Sequence, residues 1–456
     1  MQKGNEMYID LLKQKLGKEK VTQNETEIFK HSHDESMHEA SEPEVICFPE
    51  TTGDVATIMN IASKFRVPVT PFGVGSGLEG QAIPIKHGIT INFDGMNQVV
   101  EFNPEDLTIT IEPGMTRKQL NKYINRYGMM FPIDPGADAS IGGMAATNAS
   151  GTTAVRFGAM REQILSMEIV LADGTVMKTG TKAKKSSSGY HLSGLFIGSE
   201  GTLGIITEVT LKLHGIPEST VVARCTFDSP VSCGEAAHAV LLSGINVMRM
   251  EFVDSHTIKQ VNQYGDHHYP EKHSLFFEFA GTEMAVEEEV SFVQELMQGL
   301  GCENWKVAKK KAERQELWRA RQEMSYAFRH IKGRHAFSTD VCVPISELSV
   351  MIDYASSLLS KYNLKGGIFG HVGDGNFHTL LTFEKGNEAE RRKAFEMNEF
   401  IVNRAIDIGG TCTGEHGVGL GKRKFQQKEH DASFELMKSM KQLLDPEGIL
   451  NPGKIF

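Results

Sequence analysis

A glycine-rich loop between two short strands constrains the fold of this chain more than any other feature. Gly75-Ser-Gly-Leu-Glu-Gly80 follows the strand-like run Val67-Pro-Val-Thr-Pro-Phe72 and matches the G-x-G-x-x-G pattern of nicotinamide-binding domains. In those domains a helix begins within the motif. Here Pro84 comes soon after the last glycine and Gly88 opens the next strand, so no helix of useful length fits. The spacing disfavours a nicotinamide domain and favours a loop whose backbone N–H groups approach a pyrophosphate.

Two further stretches of small residues strengthen the prediction of a large ligand. Residues 135–143 and 147–151 combine glycines with small hydroxyl side chains, and Gly198-Ser-Glu-Gly-Thr-Leu-Gly204 runs directly into a strand-like segment. One such loop is equally typical of a tight structural turn. Three of them in one half of the chain indicate a long cofactor that lies against exposed backbone.

Size, charge and cysteine usage bound the class of protein. The chain has 456 residues, more than one hydrophobic core normally serves, so two domains are expected. Its net charge of −10 argues against nucleic acid or an anionic membrane as the main partner. No apolar run reaches the ~18 residues of a spanning helix, and no secretory signal pattern is visible. The six scattered cysteines indicate reduced thiols. A cytoplasmic protein is expected, or one held peripherally at a membrane surface by a partner.

The order of local patterns changes near residue 215. Before it, residues 54–65 have apolar side chains on one helical face, and Thr116-Arg-Lys-Gln119 is a capping box that predicts a helix ending at Gly128. After it, strand-like and helical runs alternate: residues 221–227, 275–279 and 337–344 against residues 284–300 and 350–359. This alternation predicts an α+β domain with helices on one face of an antiparallel sheet.

Two clusters in the last hundred residues indicate a metal site. His371 and His378 lie in Gly370-His-Val-Gly-Asp-Gly-Asn-Phe-His378, and Glu415 and His416 lie in Gly414-Glu-His-Gly-Val-Gly419. On a straight strand the first two would point to opposite faces, so they can share an ion only if the glycines between them turn the chain. Two imidazoles and a carboxylate suit zinc, manganese or iron(II), and a further imidazole suits a general base. The alternative is a glycine-rich turn flanked by solvated histidines.

Taken in order, these motifs resemble those of the FAD-linked oxidases of the vanillyl-alcohol-oxidase type. The resemblance covers the chain from about residue 40 and rests on Pro71–Gly80, Asp134–Ser140, Gly198–Gly204, Gly370–His378, Gly414–Gly419 and Asn451-Pro-Gly-Lys454. Within the family the chain is most similar to FAD-dependent D-lactate dehydrogenases and to glycolate oxidase flavoprotein subunits.

The resemblance implies an α+β fold of the two-domain PCMH type. It places an FAD-binding domain of two subdomains over residues 1–215 and a cap domain with a ferredoxin-like antiparallel sheet over residues 216–425. Residues 426–456 would then return to the flavin.

The resemblance also implies which residues hold the cofactors. Some relatives attach FAD through a histidine or cysteine; with Val74 and Ser76 in its pyrophosphate loop, this chain is expected to hold FAD non-covalently, with Asn451 near the isoalloxazine. The implied ligands of a divalent ion are His371, His378 and Glu415. The residues expected to bind FAD are Pro71, Gly73, Val74, Gly75, Ser76, Gly77, Leu78, Gly80, Pro135, Gly136, Asp138, Ser140, Gly142, Gly143, Asn148, Gly151, Glu200, Gly201, Gly204, Ile206 and Asn451.

The implied reaction is the oxidation of a small D-2-hydroxy acid. Arg321, in Leu317-Trp-Arg-Ala-Arg321, matches the family's carboxylate-binding arginine, and its planar fork suits a carboxylate. His416 is the implied base, removing the hydroxyl proton as a hydride passes from C2 to flavin N5. Ser338 stands where 2-hydroxyglutarate-oxidising relatives carry a lysine, so a short monocarboxylate is expected. D-Lactate, oxidised to pyruvate, is expected first and glycolate second.

Some alternatives stay open at this point. The electron acceptor could be a quinone, a cytochrome, an electron-transferring flavoprotein, an iron–sulfur partner subunit or oxygen, because the chain has no iron–sulfur cysteine spacing of its own. Two other classes compete with this reading. Pro84 argues against a nicotinamide-linked dehydrogenase, and the presence of both Arg321 and His416 argues against a cofactor-binding subunit without turnover.

Overall fold

The computed structural model describes residues 2–265 and 267–456. The chain divides into two compact units. The first unit comprises Met1–Gly151, Phe157–Ile216 and Glu415–Phe456, and the second comprises Thr152–Arg156 and Pro217–Gly414. In the described residues no helix is both long and apolar enough to span a membrane.

The boundary between the second unit and the last segment of the first unit does not lie at residue 425, where the sequence predicted it. It falls after Gly414, because the following loop is bound within the first unit. There Leu420 donates its backbone N–H to Glu79 O at 2.7 Å.

The first unit contains two main sheets of different type. The smaller has four strands in the order Val21–Thr22, Val45–Cys47, Ile89–Asn92 and Val69–Phe72. Its last three strands are parallel and almost entirely buried, as parallel strands generally are. The larger sheet is antiparallel, with the order Val99–Asn103, Thr108–Ile111, Ile205–Lys212, Ile164–Val170 and Val176–Gly180. A separate pair joins Met129–Met130 to His214–Gly215.

The helices of the first unit confirm the local predictions. They span Gln2–Leu16, Glu25–Lys30, Thr52–Phe65, Arg117–Ile124, Ile141–Thr147, Met160–Gln163, Ser193–Phe196, Arg423–His430 and Ala432–Leu444, with 3₁₀ turns at Lys18–Lys20 and Asn125–Tyr127 and a short helix, Ala154–Phe157, at the change of unit. The capping box of Thr116 and Gln119 is present, and Gly128 ends that segment with φ of 73°. Between Phe72 and Ile89 the described chain forms no helix, as Pro84 predicted.

The second unit is built on one eight-stranded antiparallel sheet. Seven strands follow in the order Glu303–Ala308, Ser219–Phe227, His273–Gly281, Arg249–Val253, Lys365–His371, Asn376–Glu384 and Arg334–Ser338, and Val341–Cys342 also pairs with Asn376–Glu384. Its helices span Pro230–Leu242, Ser255–Gly265, Glu283–Gly299, Lys311–Arg329, Leu348–Tyr362 and Glu388–Asp407, with a 3₁₀ turn at Ile345–Glu347.

Helices pack against both faces of this sheet. Phe276 shares an apolar core with helix Lys311–Arg329. Cys225 points to the opposite face, where it neighbours helix Pro230–Leu242. The expectation of helices on one face only is wrong, because the central strand has large apolar side chains on both faces: Phe276 and Phe277 are both fully buried.

Candidate active site

The predicted pyrophosphate loop keeps a row of backbone amides available. Within the described chain, the N–H groups of residues 73–78 donate no hydrogen bond to protein atoms. Gly75 and Gly80 have positive φ of 71° and 81°, a conformation that strains other residues. A Cβ on Gly77 would lie 2.7 Å from Gln81 Oε1. Available amides on glycine backbone suit a pyrophosphate, so this loop fits the phosphates of FAD.

The other two small-residue loops lie against this one in the first unit. A Cβ on Gly73 would stand 2.3 Å from Ser140 Oγ, and a Cβ on Gly201 would stand 2.4 Å from Pro71 Cγ. Only glycine permits either approach. The three loops that were predicted to hold FAD are therefore brought together.

Several predicted FAD residues also serve the fold. Asp138 accepts the backbone N–H of Lys118 at 2.9 Å, and Asn148 accepts that of Arg161 at 3.0 Å. Their contact with FAD stays a prediction. The other predicted residues of these loops and of the strand that follows them are Val74, Ser76, Leu78, Pro135, Gly136, Gly142, Gly143, Gly151, Gly204 and Ile206.

Glu200 holds the loop that carries His416. The Glu200 carboxylate is buried and accepts the backbone N–H groups of Val418 at 2.6 Å and Gly419 at 2.9 Å. Gln81 Nε2 donates to His416 O at 2.6 Å. Burial raises the pKa of Glu200 to about 7, against the opposing effect of these amide donors. The side chain of Glu200, predicted as an FAD contact, thus turns towards the loop of the proposed base.

The C-terminal segment is fixed to the same region. Asn451 Nδ2 donates to Gln81 O at 3.0 Å and to Glu200 O at 2.7 Å. Lys454 Nζ donates to Ile83 O at 2.6 Å. Burial lowers the pKa of Lys454 to about 8. The return of the chain end to the first unit agrees with the predicted position of Asn451, whose contact with the flavin stays a prediction.

Glu415 and His416 are the first two residues of the last segment of the first unit. Within that unit, Ser150 Oγ donates to Glu415 Oε2 at 3.1 Å. The preceding residue, Gly414, is the last of the second unit.

His371 and His378 lie on adjacent strands of the second unit that are joined by a tight turn. His371 ends the strand Lys365–His371, and His378 lies near the start of Asn376–Glu384. Gly375 in the turn has φ of 86°. The two ring centroids are 5.6 Å apart and the rings are nearly perpendicular, at 87°. The predicted reversal of the chain at the glycines is confirmed.

Each of these imidazoles is oriented through its Nδ1 atom. His371 Nδ1 lies 2.7 Å from Glu251 Oε1, and His378 Nδ1 lies 3.1 Å from Thr339 O. Both rings are buried. Histidines that ligate metals commonly engage one ring nitrogen in this way and present the other to the ion. Nε2 is therefore the nitrogen on each ring that suits a metal.

Glu251 was missed by the sequence predictions, and it joins two of the predicted residues. It is fully buried, and while Oε1 binds His371, Oε2 accepts Arg321 Nε. The Arg321 guanidinium also lies over the Phe369 ring, 5.5 Å from its centroid. The available signal was a single acid within the otherwise apolar end of strand Arg249–Val253, since a buried carboxylate normally has a partner.

Asp340 organises the neighbouring part of the second unit. It accepts Asn376 Nδ2 at 2.8 Å and Thr413 Oγ1 at 2.7 Å. A Cβ on Gly414 would lie 2.1 Å from Asn376 Nδ2, so the backbone immediately before Glu415 packs against the residue that opens the strand of His378.

The family assignment follows from comparison with known proteins. Residues 216–455 match the family model described as FAD linked oxidases, C-terminal domain, and residues 43–180 match the FAD binding domain. The structure of p-cresol methylhydroxylase with substrate bound superposes with a TM-score of 0.79 at 19% identity, covering 100% of this chain and 97% of that one. This likeness shows that the predicted PCMH-type FAD-binding fold is correct.

Curated relatives are similar along most of the chain. The probable mitochondrial D-lactate dehydrogenase of Danio rerio is 44% identical over 430 residues, 93% of this chain and 86% of that protein. The mitochondrial D-lactate dehydrogenase (cytochrome) of Arabidopsis thaliana is 40% identical over 423 residues, 92% and 75% respectively. Glycolate oxidase subunit GlcD of Bacillus subtilis is 31% identical over 431 residues, 93% and 92%. The protein is therefore a flavoenzyme that belongs to the family of FAD-linked oxidases.

Proposed function

We propose that the protein oxidises D-lactate to pyruvate with FAD and a divalent metal ion. The observation that carries the proposal is Glu251, which holds His371 and Arg321 on its two carboxylate oxygens. An imidazole suits a metal that binds a hydroxyl, and a guanidinium suits a carboxylate. A 2-hydroxy acid has these two groups on adjacent carbons. The relatives named D-lactate dehydrogenase support the same substrate.

His371, His378 and Glu415 are the proposed ligands of the ion. The two rings fit this role because each is held at Nδ1. Glu415 fits because it is bonded to Gly414, which packs against Asn376 at the start of the second histidine strand. When bound, a divalent ion supplies Lewis acidity that lowers the pKa of a coordinated hydroxyl. A set of two histidines and one carboxylate suits zinc, manganese or iron(II).

The residues of the chain bind the acid and move its proton. Because Nε of Arg321 is engaged by Glu251, its Nη groups are the ones proposed to bind the substrate carboxylate. His416 is the proposed base that takes the hydroxyl proton. Its backbone is held by Gln81, and the amides that follow are held by Glu200. FAD, when bound, supplies the hydride acceptor.

Ser338 is proposed to favour a short acid. Its Oγ donates to Thr339 O at 3.1 Å, and the same carbonyl binds His378 Nδ1. A neutral hydroxyl offers no cation to a second carboxylate. We expect Ser338→Lys to raise kcat/KM for D-2-hydroxyglutarate relative to D-lactate, and Ser338→Met serves as a control of similar length without charge. An unchanged ratio in the lysine variant would contradict this assignment.

Two finer points rest on the relatives. Glycolate is the second candidate substrate, favoured by the similarity to GlcD. A cytochrome-type acceptor is proposed from the name of the Arabidopsis relative, and reduction of cytochrome c by the lactate-reduced enzyme tests it against quinones, electron-transferring flavoprotein and iron–sulfur partners. A cytoplasmic location stays a prediction.

Anaerobic mixing with candidate acids tests the function directly. The FAD- and metal-loaded protein is mixed with D-lactate, L-lactate, glycolate or D-2-hydroxyglutarate while the flavin absorbance is followed. We expect D-lactate to bleach the flavin fastest. Fastest bleaching by glycolate would establish the second candidate, and no bleaching by any of the four acids would refute the substrate assignment.

A further inference from the structure

A buried arginine on the sheet of the second unit has no counterion among the residues that the structure describes. Arg224, in strand Ser219–Phe227, is 5% exposed. Among the described residues its guanidinium makes no hydrogen bond or ion pair with another side chain, and its Nε is buried without a partner. The guanidinium lies over the Tyr269 ring, whose centroid is 5.5 Å from Cζ. A buried charge is costly unless it is paired and hydrogen-bonded, so this arginine requires an explanation.

A second cation stands directly opposite. Arg224 and Lys306 are register partners on adjacent antiparallel strands, so their side chains leave the sheet on the same face. Like charges in this position destabilise a sheet. Lys306 forms no ion pair among the described residues. Burial lowers the pKa of the Arg224 guanidinium, as expected where burial outweighs the compensation that the described residues provide.

These cations line a cavity of about 260 Å³, together with His268, Tyr269 and Glu316. Among the described residues that line it, Glu316 is the acid, and its carboxylate is half-exposed and paired with Arg319 at 3.1 Å. The Tyr269 hydroxyl donates to Glu316 O at 2.8 Å and so fixes the ring beside Arg224. The cavity is small for a cofactor and has the size of a compact polar ligand.

The cavity is separate from the proposed substrate site. Arg224 is the register partner of Phe276, which is also the register partner of Glu251. Two strand spacings, ~10 Å in all, therefore separate the backbones of Arg224 and Glu251. Between them the Phe276 ring stacks on Trp318, with centroids 5.9 Å apart.

We propose that this cavity is a second ligand site, which binds a phosphate group on Arg224 and Lys306. A guanidinium binds phosphate through two parallel hydrogen bonds, and an ammonium adds a second positive charge beside it. Two cations match the dianionic form of a phosphate better than the single charge of a lactate carboxylate. The phosphate group could come from free inorganic phosphate or from a small phosphomonoester.

Thermal unfolding of the FAD-loaded protein tests the proposal. Potassium phosphate is titrated at constant ionic strength, with chloride replacing it in the reference samples. A ligand that binds only the folded state raises Tm in a saturable way, so we expect a saturable rise for the wild type. Repeating the titration with glycerol 3-phosphate distinguishes the two sources. If half of the maximal rise in Tm is reached at a lower concentration of glycerol 3-phosphate than of phosphate, the site is assigned to a phosphomonoester. If the two concentrations are equal, it is assigned to phosphate itself.

Three variants make the result specific. In Arg224→Met we expect the phosphate response to weaken by roughly 10- to 100-fold, the size of a lost charge-assisted contact. In the absence of phosphate its Tm should equal or exceed that of the wild type, because an unpaired buried charge has been removed. Lys306 is exposed, so its substitution should not prevent folding. The Lys306→Met variant therefore provides the same test if the Arg224→Met protein does not fold. Arg391→Met is the control, since Arg391 is half-exposed and pairs with Glu388 on the same helix, Glu388–Asp407.

The proposal is overturned by two results. One is a wild-type Tm that responds to phosphate no more than to chloride. The other is an undiminished phosphate midpoint in both the Arg224→Met and Lys306→Met proteins. A lower Tm of Arg224→Met in phosphate-free buffer, together with an absent phosphate response of the wild type, would assign Arg224 to packing alone.

Discussion

Replacing Glu251 with glutamine should destabilise the second unit and weaken metal binding at the proposed site of His371. Glu251 is fully buried, with one oxygen on His371 Nδ1 and the other on Arg321 Nε. Glutamine has nearly the same shape but no charge, and its Nε2 is a donor. One of the two existing donors would then face a donor, and the partly buried Arg321 side chain would lose its ion pair with Glu251.

The size of the effect follows from these contacts. Each charge-assisted hydrogen bond contributes ~1.5–3 kcal/mol, and breaking a buried ion pair costs ~3–5 kcal/mol. Because glutamine keeps one acceptor, we expect a loss of about 3 kcal/mol in the free energy of unfolding. For a unit of about 200 residues this corresponds to a decrease in Tm of roughly 6–12 °C. Loss of the group that orients a metal-ligating histidine should lower metal affinity by ~10–100-fold.

Differential scanning calorimetry and metal titration measure the two effects. Glu287→Gln is the control in the same unit, because Glu287 pairs with Lys309 on the exposed surface, and it should leave both quantities unchanged. The double variant with Arg321→Gln should lose less than the two single variants added together, since the residues are in direct contact. If the Glu251→Gln protein has the Tm and the metal affinity of the wild type, the proposed role of this carboxylate in joining His371 to Arg321 is refuted.

Three further predictions concern the base, the loop that carries it and the cofactor loop. His416→Ala should keep FAD while flavin reduction by D-lactate slows by ~10²–10⁴-fold in rapid mixing; an unchanged rate would exclude His416 as the base. Because burial raises the pKa of Glu200 from 4.5 to about 7, the folded state binds its proton more tightly than the unfolded state does. That stabilisation is complete below the pKa that Glu200 has in the unfolded state, and it is lost as pH rises through the pKa that Glu200 has in the folded state. The Tm of the wild type relative to Glu200→Gln should therefore fall between about pH 5 and about pH 8, and a constant difference would contradict the shift. Gly73→Ala should lower FAD content, because its Cβ would stand 2.3 Å from Ser140 Oγ; an FAD content equal to that of the wild type would contradict this clash.

Features set by neighbouring residues were predictable from the sequence. Pro84 and Gly88 together excluded a helix after the glycine loop, and the strand Ile89–Asn92 begins directly after them. The reversal between His371 and His378 was predictable for the same reason, since glycine readily adopts the positive φ found at Gly375 in the turn.

Features set by distant residues were not predictable in this way. Glu251 is 120 residues from His371 and 70 residues from Arg321, and no local pattern specifies which polar group a buried carboxylate meets. The orientation of Glu200 was likewise unpredictable. Its motif indicates a ligand loop, but its carboxylate binds amides 218 and 219 residues further along the chain. Resemblance to a family named Glu200 as an FAD contact, which stays a prediction, and did not reveal that its carboxylate holds the loop of His416.

Three buried acids, one in the first unit and two in the second, share a property that bears on catalysis. Glu200 binds two backbone amides, Glu251 binds an imidazole and a guanidinium, and Asp340 binds an amide and a hydroxyl. Each carboxylate therefore has its donors in place before any ligand arrives. Charged groups held in this way need little reorganisation during a reaction, and such preorganisation is a major source of rate enhancement. Variants of these acids should consequently reduce kcat through misplaced neighbours, even though none of the three is proposed to touch the substrate.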